Sequence, residues 1–391
     1  MLNTVLLGLV SFFSDASSEM VYPLIPLYLT AAFGATPALI GVIEGIAESL
    51  ASLLKVFSGY FTDRYRHKKA VAFAGYSTGV FYKLALLVAS SWSGILAARI
   101  TDRAGKGIRT APRDVLVSES APERSMGKAF GVHKALDMAG SAVGILFAYL
   151  LVSRAGGEFN YKNIFMLSII PAVLGLASLL AVKEKPQLRT NKQREPFWRN
   201  IKEANGTLKL YLFVTFLFTL GNSSNTFLLL RAKSLGFTDT NVVLLYFLYN
   251  LCASVLSIPF GRLSDKIGRK KLLVGGYTVF AAVYFGFAFA ASSGAMIFIF
   301  LLYGAYAAMI SSAERAMIAE ISPPELKGTM LGLQSTVTGI ALLPASLIAG
   351  FLWYTVGAKA PFIFGASLSL AAAVLLGLLI NNKTRASAAN L

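Results

Sequence analysis

Two pairs of acidic residues lie one helical turn apart within apolar stretches of this sequence. Asp15 and Glu19 form the first pair, and Glu44 and Glu48 form the second. Two carboxylates at this spacing in a medium of low dielectric constant resist ionising together, so each pair should titrate as a unit. Such groups can couple solute movement to a proton gradient. The alternative is that these acids only neutralise nearby cations in a permanent buried network.

Five cations and two carboxylates occupy the stretch RITDRAGKGIRTAPRD, residues 99–114, which continues an apolar run. A charge at the centre of a bilayer costs roughly 2.5–3.5 kcal/mol on insertion scales, so these side chains must face protein or water. Arg99, Arg103 and Lys106 recur at steps of three and four residues and therefore share one helix face. Either arginine could bind an anionic group or control the protonation of a carboxylate. This face is predicted to line a solute cavity.

Other polar residues fall in apolar runs on both sides of the chain's midpoint. In the first part they are Tyr22, His133, Lys134 and Asp137. Tyr22 and Lys134 are predicted cavity residues, and Asp137 is a further proton-coupling candidate. The second part offers mainly neutral amides, which we interpret as cavity residues: Asn222, Asn225 and Asn250. We therefore predict that ion coupling belongs to the first part of the chain and that the second part adds neutral hydrogen-bonding surface.

The composition indicates an integral membrane protein that positions these residues on helices. Of 391 residues, 55% are hydrophobic and only 14% are charged, and the mean hydropathy is +0.63. Such values are typical of lipid-embedded chains. Apolar runs long enough to cross a bilayer predict twelve transmembrane helices, termed spans 1 to 12, at residues 5–29, 38–60, 70–89, 92–116, 129–152, 162–182, 208–230, 238–260, 272–291, 295–318, 329–354 and 360–380.

The net charge of +17 is explained by loops that alternate in composition. Basic residues crowd the segments TDRYRHKK, GRLSDKIGRKK and 183–203, whereas AAFGATPA and ASSGAM carry none. Because basic loops stay on the cytoplasmic side, both termini are predicted to be cytoplasmic. This topology and anionic lipid headgroups account for the charge, so we expect no nucleic-acid partner. The single cysteine, Cys252, and two histidines favour neither a disulfide framework nor a metal site, and we expect no cofactor.

Two motifs recur at nearly the same interval. GYFTDRYRHKK at 59–69 aligns with GRLSDKIGRKK at 261–271, an offset of 202, and ESAPERSMGKAFG at 119–131 aligns with EISPPELKGTMLG at 320–332, an offset of 201. We predict an all-α fold of two six-helix halves that run parallel about an axis normal to the membrane. The predicted domains are residues 1–182, a cytoplasmic linker at 183–207, and residues 208–391.

The motif at 261–271 resembles the loop signature of the major facilitator superfamily (MFS), and the copy at 59–69 matches it less well. The resemblance implies gating roles for Gly59, Asp63, Arg64, Gly261, Asp265, Lys266, Gly268 and Arg269. In this family the loop aspartate is thought to bridge to a helix end of the opposite half. The first copy departs from the pattern at Arg66 and His67, which puts the geometry of that turn in doubt. The family's antiporter motif G-x-x-x-G-P is present only as Gly140 and Gly144, followed by Ile145.

Together these features predict a secondary carrier. Within the MFS, the stretches SDASSEMVYPLIPLYL, RAGKGIRTAPRD and GNSSNTFLLLRA resemble a bacterial subgroup associated with efflux. We expect proton-coupled antiport of a small organic solute, anionic or amphipathic, by a monomer in the bacterial cytoplasmic (inner) membrane. The alternatives are a proton-coupled uptake symporter, a divalent-metal exporter that uses the acids as oxygen ligands, and a membrane enzyme with His133 and Asp137 as base and orienter.

Overall fold

The computed structural model describes residues 2–64, 68–120, 126–155, 160–184, 206–290, 292–322 and 327–379, and the regular structure in these ranges is entirely helical. Within them, the side chains are described except at 56–57, 59–64, 126–131, 155, 312, 315, 319, 327–329 and 379. The prediction of an all-α chain is confirmed for these residues.

Each predicted span corresponds to one helix or to two helices in succession. The first half contains α1 (Leu2–Val21), a 3-10 turn (Tyr22–Leu24), α2 (Ile25–Phe33), α3 (Pro37–Arg64), α4 (Lys68–Val88), α5 (Trp92–Glu119), α6 (Met126–Ala155), α7 (Tyr161–Leu167) and α8 (Ile169–Leu180). The second half contains α9 (Gly206–Gly221), α10 (Thr226–Ser234), α11 (Asp239–Ile267), α12 (Arg269–Phe289), α13 (Ser293–Ile321), α14 (Lys327–Thr355) and α15 (Ala360–Leu379).

Eleven spans in the described residues are long and apolar enough to cross a membrane. The helix missing from that set is α5, which has 28 residues but carries the charged stretch 99–114. Length supports α5 as the twelfth span, since about 20 residues cover the hydrocarbon core. Its charges must therefore be accommodated by neighbouring helices.

Spans 1 and 7 are both interrupted near their middle. In span 1 the α-helix gives way to a 3-10 turn at Tyr22–Leu24, where Pro23 provides no backbone N–H and cannot continue the α-helical pattern. In span 7 the four residues 222–225 separate α9 from α10 without any proline. Non-helical backbone at membrane depth is tolerated only where protein or a polar cavity satisfies it. Both interruptions therefore mark places where polar groups gather.

The described helices pack into two compact units. The first contains α1–α8 together with α10 and α11 as far as Phe247, and the second contains α9, the rest of α11 and α12–α15. In the first unit α1 packs along α6, and α5 packs between α3 and α4. The Tyr161 hydroxyl donates to Asp239 Oδ2 at 2.5 Å and ties the start of α11 to α7. These two units are defined by contacts between helices and not by the sequence repeat. The predicted boundaries at residues 182 and 208 therefore remain a prediction.

Close approach of α1 and α6 depends on two glycines of α6. A methyl group added at Gly140 would lie 2.7 Å from Phe12 Cα, and one at Gly144 would lie 2.8 Å from Ala16 Cα. Small residues four positions apart let the backbones of membrane helices touch. The two glycines of the incomplete antiporter motif thus have a packing role that brings polar residues of α1 and α6 together.

Replacing Gly144 by alanine should destabilise the protein, because the new methyl group meets backbone atoms that cannot rotate away. Overpacking of this kind typically costs about 1–3 kcal/mol. When heated in detergent, the Gly144→Ala variant should lose its monodisperse fraction at a lower temperature than the wild type. Gly377→Ala is the matched control, since a methyl group there contacts nothing within 4 Å. Equal melting of the two variants would contradict the proposed packing role.

The second unit is held together by aromatic side chains. Phe218 of α9 stacks on Tyr277 of α12 with ring centroids 4.0 Å apart, and Phe280 stacks on Tyr284 at 3.9 Å. Offset and edge-on contacts of this kind add to the energy of burial. This unit therefore offers an apolar, hydroxyl-bearing interior, in contrast to the charges that accumulate in the first unit.

Candidate functional site

The most buried ion pair of the first unit joins α3 and α5. Nη2 of Arg99 donates to both carboxylate oxygens of Glu44, at 2.7 and 2.6 Å, and both side chains are only 1% exposed. A charge-assisted bond of this length is strong. Because neither group reaches solvent, Glu44 and Arg99 neutralise each other within the bundle.

One turn further along the same two helices, Arg103 pairs with Glu48. Nη2 of Arg103 lies 2.8 Å from Glu48 Oε1, and the Glu48 side chain is 27% exposed. Arg99 also reaches Glu48 at 4.0 Å. Each acid of the second predicted pair therefore faces an arginine, which favours the neutralising network over shared protonation for Glu44 and Glu48.

The 3-10 turn in span 1 brings an aromatic ring to both arginines. The Tyr22 centroid lies 5.4 Å from the Arg99 guanidinium carbon and 5.6 Å from that of Arg103. These distances allow cation–π attraction. On its other side, Tyr22 contacts the ring of Tyr246 with centroids 5.6 Å apart. The Tyr246 hydroxyl donates to Glu19 Oε2 at 3.1 Å. The structure thus gives Glu19 a hydroxyl partner.

Asp15 finds its partner on α6 and not one turn along its own helix. The carboxyl groups of Asp15 and Asp137 lie within hydrogen-bonding reach of each other. Asp137 also accepts a 2.7 Å bond from Lys134, whose side chain is 66% exposed while that of Asp137 is 17% exposed. A hydrogen bond between two carboxyl groups requires a proton on one of them. These two acids, from different helices, form the pair with the geometry to share a proton.

His133 has a different partner from the one considered for an enzyme. Its Nε2 lies 2.8 Å from Ser11 Oγ, and the two residues are buried at 5% and 2% exposure. The bond joins α6 to α1 close to Asp15. With Gly140 and Gly144, it fixes the register of the two helices that carry the acid pair.

The structure reveals a buried lysine that periodicity did not single out. Lys83 of α4 is 1% exposed, and no carboxylate of the described residues lies within 4.0 Å of its ammonium group. Asp102, Asp15, Arg103 and Arg109 lie within electrostatic range. The available signal was one lysine in the otherwise apolar run FYKLALL, which gives no repeat to detect. Tyr246 was missed for a similar reason, since a single tyrosine in a membrane helix is common.

Lys106 resembles Lys83 in lacking a direct counter-ion. It lies within electrostatic range of Asp15, Glu19 and Glu48, yet it forms no ion pair within 4.0 Å in the part of the chain that the structure describes. It is partly exposed. The first unit therefore combines two arginine–glutamate ion pairs with two lysines that could take an anionic partner.

Two of the three amides predicted for the second half lie in the interruption of span 7. Asn222 and Asn225 are half-buried within residues 222–225, and Asn250 is half-buried on α11. The Tyr303 hydroxyl donates to Asn225 Oδ1 at 2.7 Å, and Asn222 Nδ2 donates to the Tyr306 hydroxyl at 3.1 Å. Two buried tyrosines of α13 thus orient the two amides.

The family of this chain follows from comparison with known proteins. The sequence model of the Major Facilitator Superfamily matches residues 7–221 and again residues 211–390. This chain belongs to the major facilitator superfamily. An uncharacterised MFS-type transporter of Methanocaldococcus jannaschii is 38% identical over 380 residues, which cover 96% of this chain and 94% of the relative.

Two solved MFS structures are similar in fold. A variant of the nucleoside transporter NupG superposes with a TM-score of 0.81 at 12% identity, covering 97% of this chain and 100% of that one. A D-xylose–proton symporter gives 0.77 at 15% identity, covering 97% and 98%. As an MFS protein, the chain is a multi-pass membrane transporter and not an enzyme.

The MFS loop residues divide into described and undescribed groups. Gly268 adopts φ = 92°, a conformation that favours glycine, and it directly precedes α12. Asp265 and Lys266 are exposed, Gly261 is partly buried, and Arg269 pairs with Glu320.

Lys68 pairs with Glu119, and this bridge recurs as Arg269 with Glu320 after an offset of 201. The side chains of Gly59, Asp63 and Arg64 lie outside the described residues, as do Arg66 and His67. The gating roles remain predictions.

Proposed function

We propose that this chain is a proton-coupled antiporter that exports a small organic solute with an anionic group. The observation that carries the proposal is the Asp15–Asp137 pair, in which two carboxyl groups from α1 and α6 lie within hydrogen-bonding reach. A pair of this kind can hold one proton and release it when its surroundings change. Asp137 is partly exposed, so water can deliver the proton.

The anionic character of the solute is inferred from the lysines. Arg99 and Arg103 already have glutamate partners, whereas Lys83 and Lys106 form no ion pair with a described carboxylate. A cation held at membrane depth is costly unless an anion neutralises it. A carboxylate or a similar group on the solute would supply that charge. Protonation of the acid pair and binding of the anion then respond to the same local field, which couples the two events.

The export direction and the membrane orientation extend this proposal. The basic loops favour cytoplasmic termini in a bacterial inner membrane. One relative, the quinolone resistance protein NorA of Staphylococcus aureus, is 26% identical over 155 residues, which cover 40% of each chain. Its name describes resistance to quinolones, and export of a toxic solute is one way to achieve resistance. The same geometry also supports proton–anion symport, because protonation of Asp15 or Asp137 removes a negative charge near Lys83 and Lys106 and so favours binding of the anion.

A divalent-metal carrier would require converging oxygen ligands. Among the described residues, no group of three or more His, Cys, Asp or Glu side chains could hold a metal ion. Glu44 and Glu48 face arginines and Asp15 faces Asp137, so the acids considered for this alternative do not form one ligand set. The organic-anion proposal therefore fits the geometry better.

The test uses purified protein in proteoliposomes with a trapped pH dye and with the membrane potential clamped. Vesicles are loaded in turn with pools of organic anions, lipophilic cations and divalent metals, and are then diluted into solute-free buffer. Outward solute flow through an antiporter draws protons in, so internal pH should fall with the organic-anion pool. A rise in internal pH would indicate symport, and an unchanged pH with every pool would overturn proton coupling.

A further inference from the structure

The two interrupted spans occupy corresponding positions in the sequence repeat. Adding the repeat offsets of 201 and 202 to Tyr22 gives positions 223 and 224, which lie inside the interruption of span 7. Transporters built from repeats often form their solute sites at paired helix interruptions. The interruption in the first unit carries Tyr22 beside two arginines. The interruption in the second unit carries no charge, and its chemistry is different.

Two amide atoms in the second interruption have a fixed and complementary arrangement. Asn222 uses its Nδ2 to donate to Tyr306, which leaves its oxygen as an acceptor. Asn225 accepts the Tyr303 hydroxyl at its oxygen, which leaves its nitrogen as a donor. Neither remaining atom has a hydrogen-bond partner in the described ranges. Both side chains are only half-buried, so an acceptor and a donor three residues apart are available to a ligand.

The surroundings of the amides favour an uncharged, planar group. Glu314 lies within electrostatic range of Tyr306, and its negative charge disfavours an anion at this place. The ring of half-buried Tyr249 lies 5.0 Å from that of Tyr303, and aromatic rings bind other flat groups through stacking. The second unit thus combines a flat face with one acceptor and one donor.

We propose that Asn222 and Asn225 bind an amide or lactam edge of the solute, with Asn222 accepting its N–H and Asn225 donating to its carbonyl. This inference rests on the proposed function and adds that the solute contains a planar group with such an edge. Tyr303 and Tyr306 are positioning residues, because they orient the two amides without donating to the solute.

A matched pair of probes tests this assignment. The first probe is 1-oxo-1,2-dihydroisoquinoline-4-carboxylate, which has a carboxylate, a flat ring and a lactam N–H. The second is its N-methyl derivative, which keeps the carbonyl but lacks the donor. Titration calorimetry with the purified full chain should give an affinity for the first probe about tenfold higher or more, because the methylated probe leaves the Asn222 oxygen unpaired.

Variants separate the two amides. Asn222→Leu should bind both probes equally, with the affinity for the methylated probe within about twofold of wild type. Asn225→Leu should weaken both probes by about tenfold, since both contain the carbonyl. Asn241→Leu replaces an exposed asparagine of α11 and should change neither affinity. Tyr303→Phe should lower affinity less than Asn225→Leu, because the amide remains but is free to rotate.

Equal binding of the two probes by the wild type, or binding of neither, would overturn the assignment without any variant. The same probes in the vesicle assay keep the two proposals apart. If the two probes bind with different affinities but neither drives proton movement, the assignment of Asn222 and Asn225 is supported and proton coupling is disproved. If either probe drives proton movement but the two probes bind equally well, proton coupling stands and the assignment of Asn222 and Asn225 is wrong.

Discussion

Asp137→Asn should reduce solute-driven proton movement by about tenfold or more, because an amide cannot exchange a proton with its neighbour. Asp15→Asn should have the same effect, since the two carboxyl groups act as one proton site. The double variant should lose no more than either single variant, as is usual for residues that act as a unit. Exchange of labelled solute across the vesicle membrane, which needs no net proton movement, should be largely retained in all three.

Lys134→Gln is the control for these variants. It removes the 2.7 Å ion pair to Asp137 but leaves the carboxyl group in place. Because the lysine is 66% exposed, the pair contributes little to stability. Proton movement in this variant should stay within about twofold of wild type. Full proton movement in both Asp15→Asn and Asp137→Asn would exclude the acid pair as the proton-coupling site. Glu19, whose partner is Tyr246, would then be the next candidate.

Span positions could be predicted because length and apolarity are properties of a single segment. Even α5 was recognised as a span despite its charges, since its apolar start and its residue spacing indicate a helix with one polar face. That face is real in the structure: Arg99 and Arg103 both meet glutamates of α3. Periodicity therefore predicts correctly that Arg99 and Arg103 share one helix face, whereas its assignment to a solute cavity stays a prediction.

Partner choice could not be predicted, because it depends on which helices pack together. The spacing of Asp15 and Glu19 suggested a pair within α1, whereas the structure gives Asp15 a partner on α6 and Glu19 a partner on α11. The contact between α1 and α6 rests on Gly140 and Gly144. These glycines were visible in the sequence, but nothing in their spacing identifies the opposing helix.

The helix interruptions left unequal traces in the sequence. Pro23 and Pro26 disfavour a continuous α-helix in span 1. The interruption in span 7 has only the run Asn222-Ser223-Ser224-Asn225, whose side chains compete with the backbone for hydrogen bonds. These polar residues in a membrane span indicate cavity surface, but their pattern alone does not predict the break in the α-helix. The repeat offset, applied to Pro23, would have pointed to it.

Arg99→Met should destabilise the protein more than Gly144→Ala or Arg103→Ala. It would leave the Glu44 carboxylate, 1% exposed, without its guanidinium partner. Removing one member of a buried ion pair typically costs about 3–5 kcal/mol. The variant should lose most of its monodisperse yield, and the heating midpoint of what remains should fall well below that of wild type.

Two further variants show whether charge or shape is responsible. Adding Glu44→Leu to Arg99→Met removes both charges and should recover much of the stability, because a buried ion pair can often be replaced by apolar side chains at little cost. Arg103→Ala should fold nearly normally, since its partner Glu48 is 27% exposed and can be hydrated, yet it should lose transport. If Arg103→Ala melts as early as Arg99→Met, both the Arg99–Glu44 and the Arg103–Glu48 pairs are structural and this face of α5 does not line the solute cavity. If the double variant is no more stable than Arg99→Met alone, packing and not the loss of the Arg99–Glu44 ion pair sets the cost.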